Sequence, residues 1–216
     1  IIEAITLLAT QYGKPSERFA LTELDLPPAS RYPQPIGLYL PDRENLLQTL
    51  QRIAASVGGQ VVMTRASKLW FVRLDAPDVV PSATIGSNDI IAGSLSVSDR
   101  PSVDAGVKLG YAHNATLQSS GMAGGIPEPH LALYAAEWQT VSVANTAVKS
   151  DYLLHADAVQ TDTLLVRRSD AADEATRRLP LVSTPRLAIK LTLTAAHLSI
   201  ACGDTVEITH HRFGLS

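Results

Sequence analysis

The sequence predicts an α+β fold in two parts: a small domain of helix, strand, helix and hairpin over residues 1–77, and a mainly antiparallel β region with one helix over residues 78–216. Two observations support this prediction. Apolar residues recur at helical spacing in residues 1–12 and 43–57. From residue 78 onward, short alternating runs are separated by Gly, Pro, Ser and Asn, which is typical of antiparallel strands.

The composition narrows the class of protein. With 45% hydrophobic and 18% charged residues, the chain has enough apolar side chains to form a core. At 216 residues it should bury roughly 70% of its unfolded surface. A net charge of −3 argues against a general nucleic-acid binder. The single cysteine, Cys202, excludes an internal disulfide framework and a cysteine-based zinc site, and no apolar window of about 18 residues predicts a membrane span.

The two ends of the sequence suggest a fragment of a longer polypeptide. The chain opens at Ile1 inside a helical pattern and stops at Ser216, just after a strand-like run. Glu3 interrupts the first apolar cluster, so no signal peptide is predicted.

In the first part, the helix over residues 1–12 should end at Gly13, since Pro15 follows where a helix cannot continue. Its predicted buried stripe is Ile1, Ile5, Leu8 and Tyr12. The proline-rich residues 14–35 predict an irregular connection.

The rest of this part is predicted as strand, helix and hairpin. Residues 36–40 (IGLYL) read as a short strand, and Asp42 is a suitable N-cap for the helix over residues 43–57. The predicted buried stripe of that helix is Leu46, Leu50, Ile53, Ala54 and Val57. Two β-rich runs, residues 60–65 and 68–75, predict a hairpin with Ala66 and Ser67 at its turn.

Alternation with a period of two predicts the strands of the second part. These strands are residues 107–118, 133–145, 151–159, 186–194, 197–201 and 205–211, with a glycine-rich loop over 119–130 and a turn over 202–204. The predicted helix covers residues 169–179, with Ser169 or Asp170 as N-cap and Pro180 at its end. Glu174 and Arg178 are four residues apart, a favourable helical pair.

No motif in the sequence predicts catalysis. The histidines lack metal-ligand spacing, and the adjacent His210 and His211 should point to opposite faces of a strand. A free cysteine such as Cys202 is more often a small buried hydrophobe than a nucleophile. The glycine-rich residues 121–125 lack the lysine of a phosphate-binding loop. We therefore predict no catalytic, cofactor-binding or metal-binding residues, and we expect that the protein is not an enzyme.

Two alternatives remain open. Asp173 and Glu137 are candidate carboxylates for a cell-wall hydrolase, although a position near a helix N-terminus already explains Asp173. Trp138, Tyr134 and Tyr152 are candidates for an exposed carbohydrate-binding platform on a host-surface binding module. A tryptophan in a strand is more often packed than exposed, so burial of Trp138 would remove the main support for that module.

Several segments resemble tail hub or tail-tip proteins of long-tailed bacteriophages and prophages. The matching segments are SLSVSDRPSVDAGVKLGYAHNATLQ (94–118), EWQTVSVAN (137–145), DTLLVRRSDAADEATRRLPLVSTPR (162–186) and GDTVEITHHRFGLS (203–216). The closing motif of the family resembles Gly-Asp-x-Val-x-Leu-Thr-His-x-Arg-Phe-Gly-Leu. In this chain it reads Gly203, Asp204, Val206, Ile208, Thr209, His210, Arg212, Phe213, Gly214 and Leu215.

The resemblance implies a structural module of a tail hub that links the tail tube to the distal tip without catalysis. Residues 1–77 would be an inserted α+β domain, and residues 78–216 would be part of a tail-tube-like barrel that lacks some strands. The implied partners are the tail tube, distal tail and tip or fibre proteins, with a homotrimer in the full-length particle. The implied location is the virion, after assembly in the bacterial cytoplasm.

Overall fold

The computed structural model describes residues 1–12, 24–65, 68–99, 103–118, 120–122, 124–154 and 157–211. These residues form helices and sheets in which most of the paired positions are antiparallel, which confirms the predicted α+β class. Their α-helices are α1 (Ile2–Tyr12), α2 (Leu46–Ala55), α3 (Glu128–Ala135), α4 (Thr146–Asp151) and α5 (Arg168–Ser183). Their strands are β1 (Leu24–Asp25), β2 (Gly59–Met63), β3 (Leu69–Arg73), β4 (Ala83–Ile85), β5 (Ser96–Asp99), β6 (Gly106–Tyr111), β7 (Gln139–Ala144), β8 (Gln160–Asp162), β9 (Leu187–Lys190) and β10 (Val206–Ile208).

The first sheet is built on the predicted hairpin. Strands β2 and β3 are antiparallel, with Val61 opposite Phe71, and β1 lies parallel to β3 on its other side. Helix α2 packs on β2, and α1 packs on α2. The hairpin prediction is confirmed, while its turn residues Ala66 and Ser67, like Gly13 and Pro15, lie outside the described residues.

The second sheet has β6 at its centre. Strand β6 is antiparallel to β7 and parallel to β8. Helix α5 packs across β6 and β7, and its residues Ala171 and Ala175 are fully buried. Small side chains at these two positions let the helix lie close to the sheet.

One hydrophobic cluster includes side chains from both sides of residue 77. Ile5 and Ile53 contribute from one side, and Leu165 and Ala171 from the other. The predicted stripe of α1 is confirmed at Ile1 and Ile5 but is wrong at Tyr12, which is exposed. The proposed domain boundary at residue 77 stays a prediction.

Two small ribbons complete the sheets of the described residues. Strand β4 pairs with β10 in parallel, and β5 pairs with β9 in antiparallel fashion. Leu187 of β9, which the alternation predicts to face inward, is exposed. The described residues thus form four separate open sheets, and the tail-tube-like barrel implied for residues 78–216 is not closed among them.

Helix α2 begins later than predicted. Asn45, not Asp42, is its N-cap, and the Asn45 Oδ1 atom accepts a hydrogen bond of 2.9 Å from the Leu47 N–H. The predicted strand over residues 36–40 is wrong, because within the described chain Ile36 forms an isolated bridge with Leu165.

Helix α5 is longer than predicted and contains Pro180, which was expected to end it. Proline removes one helical N–H and frees the carbonyl four residues earlier, that of Thr176. Thr176 and Pro180 are both exposed, so water can bind that carbonyl. The predicted caps Ser169 and Asp170 are also wrong, since the N-cap is Arg167, without a side-chain hydrogen bond.

Strand β6 ends earlier than the alternation in residues 107–118 suggests. Ala112 has a φ of 49° and donates its N–H to the Leu165 carbonyl at 2.8 Å, so the chain turns away from the strand direction. The predicted strand over residues 133–145 is correct only from Gln139, because α3 occupies the residues up to Ala135.

Two further predicted strands do not form among the described residues. Residues 146–151 form α4, capped by Asn145, whose Oδ1 accepts a hydrogen bond from the Val148 N–H. The chain then turns, and the described residues 151–154 and 157–159 contain no strand, so the strand predicted over residues 151–159 is wrong there; His155 and Ala156 lie outside the described residues. Residues 195–197 form a 3₁₀ turn where the strand over 197–201 is predicted to begin, and the turn at Cys202 and Gly203 is as predicted. Strand β10 covers only Val206–Ile208 of the strand predicted over 205–211. His210 and His211 lie beyond β10 with their rings stacked, the centroids 4.5 Å apart, so the prediction that they point to opposite faces of a strand is wrong.

Candidate functional site

Glu174 is the centre of a charged cluster between helices α2 and α5. Its side chain is 6% exposed and accepts hydrogen bonds from both following arginines. Arg177 Nη2 lies 2.7 Å and Arg178 Nε 2.6 Å from Glu174 Oε1. We call Glu174, Arg177 and Arg178 the arginine joint. The sequence predicts the Glu174–Arg178 pair, which is confirmed, but it does not reveal that the same carboxylate also binds Arg177.

The arginine joint holds the C-terminal end of α2. Arg178 Nη2 donates to the carbonyls of Ala55 at 2.8 Å and Ser56 at 3.2 Å, and Arg177 Nη2 donates to that of Val57 at 3.3 Å. The last carbonyls of a helix have no intrahelical partner, and positive charge is favourable at this end of the helix dipole. The two arginines therefore serve as a C-terminal cap that comes from another helix.

Asp75 extends the arginine joint to the end of the hairpin. Arg177 Nη1 lies 2.9 Å from Asp75 Oδ1, and Arg73 Nε lies 2.8 Å from Asp75 Oδ2. Burial acts to lower the pKa of Arg177, but the hydrogen bonds and charges of Glu174 and Asp75 outweigh it and raise the pKa above the ordinary value. Arg177 thus stays protonated and fully engaged, which is the behaviour of a structural group.

Ser56 adds a neutral contact at the same place. Its buried hydroxyl accepts a hydrogen bond of 2.9 Å from the Leu164 N–H and donates one of 3.1 Å to the Arg52 carbonyl. The end of α2 is therefore fixed to the segment before α5 as well as to α5 itself.

The aromatic residues of the carbohydrate-binding alternative do not form a shared surface of stacked rings. Trp138 is half-buried, and the His113 ring lies over it with the ring centroids 4.4 Å apart. Tyr134 and Tyr152 are exposed, Tyr134 in α3 and Tyr152 just after α4. One face of the Trp138 ring is therefore covered by a protein side chain.

The carboxylates of the hydrolase alternative lie on different elements. Glu137 is exposed in the loop before β7, 3.8 Å from His113 Nε2, and Asp173 is exposed on α5. Cys202 is also exposed, which contradicts its expected burial. Among the described residues, no group of three or more His, Cys, Asp or Glu side chains could hold a metal ion. No helix in the described part of the chain combines the length and hydrophobicity needed to cross a bilayer.

Several apolar side chains and two strand edges are exposed on the surface of the described residues. Val79 is 99%, Val159 88% and Leu153 74% exposed. Strands β7 and β8 form the outer edges of the second sheet as described. Exposed apolar groups and unpaired strand edges are the features that a protein covers when it associates with neighbours.

Comparison with known proteins supports a fold relationship. No protein-family model matches the sequence, and no curated protein matches it. The chain is similar to the crystal structure of the tail protein from Neisseria meningitidis MC58, with a TM-score of 0.51 and 14% sequence identity. The match covers 96% of this chain and 56% of that one, so the chain spans little more than half the length of the protein it matches. The likeness shows a shared fold.

Proposed function

We propose that this chain is a structural, non-catalytic module of a phage-like tail hub that links the tail tube to the distal tip. The main support is the shared fold with a tail protein over 96% of the chain. The segments that resemble tail hub proteins support the finer assignment.

The arrangement of charged groups agrees with a structural role. The arginine joint forms hydrogen bonds within α5 and to the end of α2, and it holds these two helices together. Glu137 and Asp173 are exposed and belong to different elements, whereas a glycosidase needs two carboxylates facing one bond, one of them usually with a raised pKa.

The expected partners are the tail tube, distal tail and tip or fibre proteins, with the full-length protein forming a homotrimer in the virion after assembly in the bacterial cytoplasm. Support comes from the exposed side chains of Val79, Val159 and Leu153 and from the open edges of β7 and β8. A ring-forming subunit must cover such surfaces with its neighbours.

The proposal is tested on native particles. An epitope tag on the full-length protein should place a gold label at one end of the tail in electron micrographs, and cross-linking should join it to tail proteins. Light scattering of the full-length protein should give the mass of a trimer. Absence of the protein from purified tails would overturn the proposal.

A separate assay addresses catalysis. Incubation of the protein with peptidoglycan should release no soluble fragments. Release that is abolished by Glu137→Gln or Asp173→Asn would establish the hydrolase instead. Binding in a glycan screen that is lost in Trp138→Ala would favour the carbohydrate-binding module.

A further inference from the structure

The outer face of the first sheet is covered only in part. Val61 and Phe71 point into the core, so their neighbours Val62 and Trp70, which lie opposite each other, point to the other face. The segment over residues 198–204 lies across this face. At Gly203 a Cβ atom would lie 3.0 Å from Val72 Cγ1, so backbone and sheet are in close contact there.

A cleft of about 630 Å³ remains between this segment and the hairpin. Its described lining residues are Val62, Met63, Thr64, Arg65, Lys68, Trp70, Leu198, Ser199, Ile200, Ala201 and Cys202. Pockets for small organic molecules have volumes of roughly 300–1,000 Å³ and are mostly apolar with a few polar groups. Trp70 is half-buried, while Met63 and Leu198 are exposed at the mouth, so much of this apolar surface is in contact with water.

The lining of the cleft is basic in the part of the chain that the structure describes. Among its described lining residues, the charged ones are Arg65 and Lys68, although the whole chain has a net charge of −3. Arg65 Nη1 donates to the Leu198 carbonyl, which fixes the guanidinium at the cleft between the hairpin and the covering segment. The nearby Asp204 carboxylate is turned into its own loop, where Oδ2 accepts a hydrogen bond of 2.7 Å from the Ala201 N–H.

We propose that this cleft binds a planar organic anion, a small aromatic molecule that bears a carboxylate. The aromatic body packs on Trp70 between Val62 and Ile200, and the carboxylate lies beside Arg65. A planar carboxylate uses both features of the cleft, since guanidinium groups bind carboxylates with matching geometry and aromatic rings stack on indole. This site goes beyond the proposed structural role and does not depend on it.

The two methionines of the chain provide an internal control. Met63 lines the cleft and Met122 does not. With methionine methyl groups labelled by ¹³C, titration of the whole chain with 2-naphthoate should shift the Met63 resonance and leave the Met122 resonance in place. The neutral 2-naphthamide should bind more weakly, and added salt should reduce the difference. No shift at Met63, or equal shifts at both methionines, would overturn the proposal.

Two variants separate the charge from the aromatic contact. Arg65→Gln should weaken 2-naphthoate binding roughly fivefold, as expected for one partly exposed charge pair, without changing 2-naphthamide binding. Trp70→Phe should weaken both ligands, whereas Trp138→Phe should weaken neither. An unchanged affinity in Arg65→Gln would contradict the anion assignment, and a loss in Trp138→Phe would place the site elsewhere.

Discussion

The side-chain amide of Gln51, on helix α2, hydrogen-bonds both the backbone N–H and the backbone C=O of Val61 in strand β2. The Val61 N–H donates to Gln51 Oε1 at 3.1 Å, and Gln51 Nε2 donates to the Val61 carbonyl. Strand β2 lies at one edge of its sheet, so these two backbone groups point away from β3. The glutamine therefore occupies the place of a neighbouring strand and protects an edge that could otherwise pair with another chain.

Replacement of Gln51 by alanine should destabilise the protein by about 1–2 kcal/mol, because two hydrogen bonds are lost at a partly buried strand edge. The free energy of unfolding in urea measures this loss. Gln48→Ala is the matched control, since Gln48 is exposed on the same helix and should change stability little. Equal effects of the two substitutions would contradict the protective role of Gln51. The Gln51→Ala protein should also associate more readily in sedimentation experiments.

Glu174→Gln should be among the most destabilising conservative substitutions in the chain. It leaves Arg177 and Arg178, whose side chains are 21% and 16% exposed, without their shared negative charge. Removing one partner of a buried ion pair costs about 3–5 kcal/mol, and the partial exposure of the two arginines lowers the expected loss to about 2–4 kcal/mol. Urea unfolding measures the effect, and the exposed Asp173→Asn on the same helix is the control, expected to lie within about 0.5 kcal/mol of the parent. A Glu174→Gln protein as stable as that control would show that Asp75 and the backbone carbonyls of residues 55–57 hold the arginines without Glu174.

Gly58 lies where the arginine joint meets the end of α2, and its replacement by alanine should destabilise the protein in two ways. Its φ is +67°, and a Cβ atom would lie 2.3 Å from Arg177 Nη2 and 2.9 Å from Glu174 Oε1. The left-handed backbone alone costs about 1–2 kcal/mol for alanine. Gly93→Ala isolates this backbone cost, because Gly93 has a φ of +80° with no atom within 4 Å of its Cβ position. The melting temperature should fall further for Gly58→Ala than for Gly93→Ala, and equal decreases would argue that Arg177 moves away freely.

Local patterns in the sequence predict the first part of the chain better than the second. The stripe Leu50, Ile53, Ala54 and Val57 is buried as predicted, because one helix face packs on a hairpin that follows directly. The start of that helix is missed because Asp42 and Asn45 are both good caps, and only the position of the Leu47 N–H decides between them.

In the second part, tertiary contacts override the alternation of apolar residues. Nothing in the run over 107–118 indicates that Ala112 adopts a positive φ to bond with Leu165, 53 residues later. Local rules predict that a helix ends at Pro180, yet α5 continues to Ser183. Tertiary contacts hold this last turn, since Ser183 is buried and the Val182 carbonyl accepts a hydrogen bond from the Asp104 N–H. Asn145 does indicate the start of α4 in the sequence, since an Asn before Thr-Ala-Val is a suitable helix N-cap.

The arginine joint could be predicted only in part for the same reason. Glu174 and Arg178 are visible as a helical pair, but their partners at Ala55 and Ser56 lie more than a hundred residues away in the sequence. The cleft between the hairpin and residues 198–204 likewise cannot be predicted from local patterns, because Trp70 and Ile200 belong to segments that come together only in the folded chain.

The hydrogen bonds that Asp89 accepts from Gly86 and His197 make stability depend on pH in the acid range. The Gly86 N–H donates to Asp89 Oδ2 at 2.9 Å, and His197 Nε2 lies 3.3 Å from the same oxygen. The hydrogen bond from Gly86 and then that from His197 hold the pKa of the Asp89 carboxyl below its ordinary value. Because the folded-state pKa is lower than that of the unfolded chain, the ionised carboxylate stabilises the fold above the unfolded pKa of about 3.9, and this stabilisation is lost as the pH falls through the folded value.

Asp89→Asn should therefore lower the melting temperature at pH 5, and its difference from the parent should shrink as the pH approaches 2. Carboxyl ¹³C titration should place the Asp89 midpoint below about 3.9, the ordinary value of an aspartate side chain; a midpoint at or above that value, or a difference in melting temperature that persists at pH 2, would contradict the assignment.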